Sequence, residues 1–148
     1  MPTGPCFTIG PRGYFSFEPA YSAEQRAKLL GVISGFFEKL TVYDANGRRW
    51  KSKGLNSEYR RSWWTVLLAH TVYNPWITIT LLWKEPTSYD LDELKRAYAK
   101  AVDSDDDILT QFVEAVELQH KISAAQTFAD LVAVYQWMEI DHSGAHAA

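Results

Sequence analysis

The stretch at residues 63–83 constrains the fold more than any other, because it concentrates large apolar side chains that a folded chain must largely cover. Its sequence is WWTVLLAHTVYNPWITITLLW, with the turn-forming pair Asn74-Pro75 at its centre. Successive side chains of a strand point to opposite faces, so a turn at this pair fixes which residues share a face. The sequence therefore predicts one antiparallel hairpin.

The two faces of this predicted hairpin differ in character. The face expected to be core holds Trp64, Val66, Leu68, His70, Val72, Ile77, Ile79, Leu81 and Trp83. The opposite face holds Trp63, Thr65, Leu67, Ala69, Thr71, Tyr73, Trp76, Thr78, Thr80 and Leu82. Only His70 is polar on the first face, and we expect it to be a hydrogen-bonded core residue. A mixed face of threonines, leucines and aromatics is typical of a surface that meets a partner.

Length and composition bound the class of protein. A chain of 148 residues with 47% hydrophobic residues can form a single domain with a substantial core. We expect that domain to span residues 1–148, with short mobile segments at about 1–12 and about 140–148. Cys6 is the only cysteine, which excludes an intrachain disulfide and favours the cytoplasm. Neither a signal-peptide pattern nor a membrane-length apolar run occurs, so no membrane association is expected.

Charge is divided unevenly along the chain. Residues 1–84 hold 11 Lys and Arg against 5 Asp and Glu, a net charge of +6. Residues 85–148 hold 4 against 13, a net charge of −9. Such a partition is either satisfied inside the domain or leaves a basic and an acidic side.

The remaining patterns predict the order β-α-β-β-β-β-α-α-α. Aromatic alternation predicts a strand at 14–18, and Ser22 followed by Gln25 predicts a helix from Ser22. Asn46-Gly47 predicts a second hairpin, and residues 51–61 a loop. Helices are then predicted to begin at Asp90, Ser104 and Thr127. This order favours an α+β fold, a mainly antiparallel sheet of about five strands with helices packed on one face.

One acidic segment has the spacing of a calcium loop. Asp103, Asp105, Asp107 and Glu114 occupy positions 1, 3, 5 and 12 of such a loop. Ile108 stands where that loop requires glycine, and its branched side chain resists the turn. We therefore expect a capped helix start and no metal site.

A basic segment offers a possible nucleic-acid surface. Its cations are interleaved with aromatic residues, as in proteins that track phosphates and stack on bases; they are Arg48, Arg49, Lys51, Lys53, Arg60 and Arg61. The whole-chain charge of −3 opposes phosphate, so a solvated loop or a protein-binding edge is favoured.

No pattern in the sequence indicates an enzyme. The chain contains no GxSxG, phosphate-binding loop, HExxH, CxxC or dinucleotide fingerprint. The four histidines do not form a site in the sequence, since His142 and His146 could share a metal only in a helical tail, which Gly144 disfavours. Cys6 lies outside any periodic segment. We therefore expect no cofactor and assign no catalytic residue. Enzymatic activity is not excluded, because catalytic carboxylates can be distant from each other in the sequence.

These observations favour a small cytoplasmic domain that binds another protein. The version we favour is a toxin-neutralising inhibitor, the role filled by bacterial immunity proteins. The alternatives are a small-ligand or nucleic-acid binding module, and a homodimer without catalytic activity. The expected partner-binding residues are aromatic or apolar anchors and steering charges, namely Trp63, Leu67, Tyr73, Trp76, Leu82, Asp103, Asp105, Asp106 and Asp107.

Overall fold

The computed structural model describes residues 1–57, 63–70, 74–104 and 113–144. Its strands are β1 (Cys6–Ile9), β2 (Phe15–Glu18), β3 (Glu24–Lys28), β4 (Thr41–Asp44), β5 (Arg48–Ser57), β6 (Trp76–Trp83) and β7 (Thr87–Ser88). Its helices are α1 (Leu29–Ile33), α2 (Trp63–Ala69), α3 (Leu91–Asp103), α4 (Ala115–Ala124) and α5 (Phe128–Gly144). Short 3-10 turns lie at Pro11–Gly13 and Phe37–Lys39. The predicted α+β class is confirmed, with seven strands in the described residues rather than about five.

The strand order is β2-β1-β4-β5-β6-β3, with antiparallel pairing throughout and β7 also paired to β5. Strand β5 is long enough to serve both halves of this sheet: Trp50 pairs with Val42 of β4, and Leu55 pairs with Leu81 of β6. The register shifts between Ser52 and Gly54, where Gly54 has φ of +151°. Glycine alone adopts such a backbone without strain, so this bulge bends the sheet into two halves.

Helices α3, α4 and α5 cover the β2-β1-β4 half through an aromatic layer. Phe7 and Tyr98 are fully buried, and the Phe15 and Tyr98 rings stack with centroids 3.9 Å apart. Leu94, Leu118 and Leu131 bring one buried residue from each helix to the same cluster. Packing of aromatic rings on a strand pair gives this half a large apolar core.

The β5-β6-β3 half has a smaller core on one of its faces. Ala27, Leu40, Ile79 and Leu81 are buried there, with half-buried aromatics from the segment between α1 and β4 packed against them. A further cluster of Cys6, Val42 and Trp50 lies on the face of β1 and β4 that points away from α3–α5.

A buried carboxylate holds the β4–β5 turn. Asp44 Oδ1 accepts hydrogen bonds from the backbone N–H groups of Asn46 and Arg48, both at 3.0 Å, and Oδ2 accepts one from Trp50 Nε1 at 2.8 Å. Gly47 has φ of +75°, which closes the turn. The hairpin predicted at Asn46-Gly47 is confirmed, although only the glycine takes a positive φ.

The hairpin predicted over residues 63–83 is wrong in its first half. Residues 63–69 form α2, and only residues 76–83 form a strand. Within β6 the predicted alternation is confirmed, since Ile79 and Leu81 are buried while Trp76 and Leu82 are exposed. A short apolar run fits a helix as well as a strand, and residues 63–69 mix the β-branched Thr65 and Val66 with the helix formers Leu67, Leu68 and Ala69.

The helix predicted from Ser22 is also wrong at its start. Glu24–Lys28 forms β3, and the helix that follows is confined to Leu29–Ile33. The Ser22 hydroxyl donates to the Glu24 carbonyl at 2.8 Å and caps no helix. Pairing with β6 overrides the low strand propensity of the sequence EQRAK, because it lets Ala27 bury against Ile77 and Ile79.

Three further expectations need correction. Residues 6–9, expected in a mobile N-terminal segment, form β1 between two other strands, with Cys6 and Phe7 fully buried. Residues 51–57, expected as a loop, continue β5. The helix predicted from Ser104 does not continue through Val113 and Glu114, which are not helical, and α4 begins at Ala115. Residues 105–112 lie outside the described residues.

The helix starts predicted at Asp90 and Thr127 are confirmed. The Asp90 side chain accepts from the Glu93 N–H at 2.7 Å, as a capping residue does. Thr127 Oγ1 accepts from the Asp130 N–H at 3.1 Å, while Asp130 Oδ2 accepts from the Thr127 N–H at 2.9 Å. This reciprocal pair is a capping box with aspartate in place of glutamate.

The Asp44 turn yields a stability prediction. Asp44→Asn should lower the free energy of unfolding by about 2 kcal/mol, because the new amide keeps an acceptor for the two backbone N–H groups but opposes Trp50 Nε1 with a donor. In a Trp50→Phe background the same substitution should cost less, since that donor is absent. Denaturant unfolding of the four proteins tests this, and an equal cost in both backgrounds would contradict it.

Candidate functional site

Helix α2 turns its largest side chains to solvent. Trp63, Trp64, Leu67 and Leu68, hereafter the α2 stripe, are 66%, 59%, 50% and 40% exposed. At 3.6 residues per turn they share a sector of about 140°. Ala69 is buried and Val66 half-buried on the opposite side. Amphipathic helices usually keep their apolar side inward, whereas α2 has apolar residues on both its inward and its exposed side.

The two tryptophans of the α2 stripe form one continuous aromatic surface. Their rings stack with centroids 4.0 Å apart and an interplanar angle of 26°. Stacking holds both rings in a defined arrangement, so these two side chains would lose little conformational entropy when a partner packs against them.

The second exposed surface is the uncovered face of β3 and β6, hereafter the outer sheet face. Cross-strand pairing places Lys28 opposite Trp76 and Arg26 opposite Thr78, all on this face. Trp76 is 55% exposed, with Lys28 Nζ 4.7 Å and the Arg26 guanidinium carbon 6.0 Å from its ring centroid. These are cation–π distances, so both cations of β3 interact with the ring.

The start of α1 connects the two surfaces. The Leu29 N–H donates to the Pro75 carbonyl at 3.0 Å, and the Leu30 N–H donates to Asn74 Oδ1 at 2.9 Å. Helix α1 also contacts α2. Helix α2 and the start of β6, which carries Trp76, therefore both lie next to α1.

Exposed apolar residues concentrate in α2 and at the start of β6. Nine large hydrophobic side chains are exposed in the described part of the chain, and five of them lie between residues 63 and 76. Isolated exposed hydrophobics are ordinary, but a cluster of this kind marks an interaction surface.

The sequence-predicted partner residues lie on several different elements of the structure. Trp63 and Leu67 are exposed on α2, and Trp76 and Leu82 are exposed on β6. Asp103 is exposed at the end of α3, a helix that packs on the β2-β1-β4 half of the sheet. The predictions for Tyr73, Asp105, Asp106 and Asp107 fall outside the described residues. The anchors that can be located are thus exposed, but on a helix and a strand rather than on one hairpin face.

Sequence reasoning missed Trp64 and Leu68. A strand pattern assigns them to the core face, whereas helical spacing groups them with Trp63 and Leu67. Testing both periods over residues 63–70 would have found all four.

His70 is exposed, and its prediction as a core residue is wrong. The prediction depended on strand alternation between Leu68 and Val72, but His70 follows directly after the last residue of α2. In the described residues no group of three His, Cys, Asp or Glu side chains could hold a metal ion.

The basic segment does not form one surface. Arg49 makes an ion pair of 2.5 Å with Glu93 and donates to Thr87 Oγ1 at 3.1 Å, so its charge is used within the domain. Alternation along β5 separates Arg48 from Arg49 and Lys51, and Lys53 lies at the bulge. Arg60 and Arg61 lie outside the described residues. The described cations therefore give weak support to a nucleic-acid groove.

Two clefts in the described residues have the volume of a small-ligand site. One, of about 480 Å³, lies between the Pro11–Gly13 turn and α3, and another, of about 490 Å³, lies between α4 and α5. The second contains Trp137, whose ring is already covered by Lys121 Nζ at 4.4 Å. Neither cleft gathers the convergent polar groups expected of a ligand site.

No protein-family model, curated protein or solved structure matches the chain. No helix in the described ranges has both the length and the apolar character needed to cross a membrane.

Cys6 yields a prediction about reactivity. Burial, followed by the nearby Glu18 and Asp44 carboxyls, raises the pKa of the Cys6 thiol from 9.0 to about 12. Because the folded pKa is raised, the thiol's contribution to stability is present below pH 9 and is lost as pH rises toward 12. We expect a thiol reagent at pH 8 to label the native protein far more slowly than the urea-unfolded protein. Comparable rates would contradict this burial.

Proposed function

We propose that this domain acts by binding another protein through the α2 stripe and the adjoining outer sheet face. One observation carries the proposal: a helix that contacts its own domain through Ala69 nevertheless turns two tryptophans and two leucines to solvent. A fold that had only to be stable would gain by turning that side inward.

The energy available from this surface is sufficient for recognition. The exposed fractions of Trp63 and Trp64 leave roughly 100–150 Å² of each side chain uncovered, worth roughly 2–4 kcal/mol each when buried. Tryptophan is also the residue most enriched at binding hot spots. Trp63, Trp64 and Trp76 are therefore the proposed anchors. Leu67 and Leu68 lie beside the first two on α2, and Leu82 lies further along β6.

A toxin-neutralising inhibitor of the immunity type is the narrower form of this proposal, in a cytoplasmic setting. Such an inhibitor covers or distorts the active site of its toxin and needs a preformed surface with aromatic anchors. The stacked Trp63–Trp64 pair supplies that feature. A toxin reading frame beside the gene would support this form, whereas an operon of metabolic enzymes would favour a ligand-binding module.

A second copy of the chain is the alternative protein partner. In that case the α2 stripe would join two subunits, and the isolated protein would already be a dimer. Sedimentation velocity over a range of concentrations separates the two cases before any partner is sought.

The central prediction concerns Trp63→Ala/Trp64→Ala. This double substitution should weaken partner binding, or self-association, by about 30-fold or more, because it removes both anchors. It should change the free energy of unfolding by less than about 0.5 kcal/mol, since both side chains are largely exposed. Affinity is measured by calorimetry with the purified partner, and stability by denaturant unfolding.

Val116→Ala is the matched control. Val116 is 77% exposed on α4, so it loses apolar surface without touching α2 or β6. We expect this variant to bind as the unaltered protein does. If the double tryptophan variant stays folded and binds equally well, the proposed surface is wrong.

A further inference from the structure

Two cations on the outer sheet face carry unused hydrogen-bonding capacity. In the described part of the chain, the Arg26 guanidinium group lies over the Trp76 ring and forms no ion pair or hydrogen bond. Lys28 Nζ contacts the same ring and donates one hydrogen bond, of 3.4 Å, to the Asn74 carbonyl. Arginine has five N–H donors and lysine three, so most of their donors remain available.

Among the described residues of this face, no carboxylate forms an ion pair with these cations. Glu24 lies two residues before Arg26 on the same face, opposite Thr80, and forms no ion pair with it. The cross-strand neighbours of Arg26 and Lys28 are Thr78 and Trp76, which are uncharged. By contrast, Arg49 elsewhere in the domain is paired with Glu93.

From this arrangement we propose that the partner surface presents carboxylates next to an apolar patch. The inference rests on the proposed function and specifies its partner. The partner's apolar side chains pack on Trp76 and the α2 stripe. Its Asp or Glu side chains pair with Arg26 and Lys28 at the border of that contact, where the planar guanidinium group can take a carboxylate through two hydrogen bonds.

Two other anionic partners fit this surface less well. A single-stranded nucleic acid would use the tryptophans for stacking, but Leu67, Leu68 and Leu82 offer it no planar surface. An anionic bilayer would accept tryptophan and leucine, but the outer sheet face also exposes Thr78 and Asn56, which offer hydrogen bonds that the acyl region cannot return. A protein surface can satisfy the rings, the aliphatic side chains and the polar groups together.

The test uses three synthetic helical peptides with one identical leucine stripe. They differ only in the residues beside the stripe, which are Glu in the first, Gln in the second and Lys in the third. Binding to the intact protein is followed by tryptophan fluorescence at low and high salt. We expect the Glu peptide to bind at least about tenfold more tightly than the Lys peptide, with the difference reduced by salt.

Charge-reversal variants test whether Arg26 and Lys28 cause the preference for the Glu peptide. Arg26→Glu/Lys28→Glu should reverse the order of the Glu and Lys peptides, and Arg26→Gln/Lys28→Gln should abolish the difference. The matched control is Arg96→Glu/Lys100→Glu, which makes the same change in net charge at two exposed positions of α3. We expect the control to keep the preference for the Glu peptide.

Each other outcome overturns the inference. Equal binding of the three peptides, lost in Trp63→Ala/Trp64→Ala, would refute the acidic partner while leaving protein binding in place. Binding by none of them also refutes it, and the proposed function then depends on the purified-partner measurement described above. Preferential binding to phosphatidylcholine vesicles that contain phosphatidylglycerol, or to oligothymidylate, would assign the cations to a lipid or nucleic-acid surface instead.

Discussion

The bend of β5 at Gly54 determines where the domain is covered and where it is open. Before the bend, β5 pairs with β4 in the half of the sheet that α3–α5 cover. After it, β5 pairs with β6 in a half whose inner face alone is covered, by α1 and the residues that follow it. One glycine conformation thus separates a deep aromatic core from a thin sheet with an exposed outer face. The proposed interface belongs entirely to the second half.

The charge partition of the chain has two different outcomes in the structure. Arg49 and Glu93, which come from opposite halves of the sequence, form an ion pair that joins β5 to α3. Arg26 and Lys28 find no such carboxylate among the described residues and lie beside Trp76 instead. Part of the sequence asymmetry is therefore neutralised inside the fold, and part remains at the surface. Two of the unpaired cations, Arg26 and Lys28, lie beside the exposed Trp76.

The sequence predicted correctly those elements whose ends are marked by a capping residue or a turn residue. Asp90, Thr127 and the Asn46-Gly47 turn were all identified, because a cap or a tight turn is decided by neighbouring residues. Predictions from hydrophobic periodicity failed where contacts with distant segments determine the secondary structure. Residues 24–28 became a strand only because β6 is beside them, and residues 63–69 fit either period. The exposure of Trp63 and Trp76 was anticipated, but Trp64 and Leu68 required the helix to be known.

The contact of Arg26 and Lys28 with Trp76 bears on aggregation as well as on recognition. Strand β3 lies at the edge of the sheet, and an uncovered edge beside exposed apolar side chains invites unspecific pairing between chains. Charged side chains on an edge strand oppose such pairing, because two copies would bring like charges together. The same charges attract a partner of opposite sign and raise its rate of association. Arg26 and Lys28 therefore make the α2 stripe and Trp76 unfavourable for self-association through this edge while keeping them open to an acidic partner.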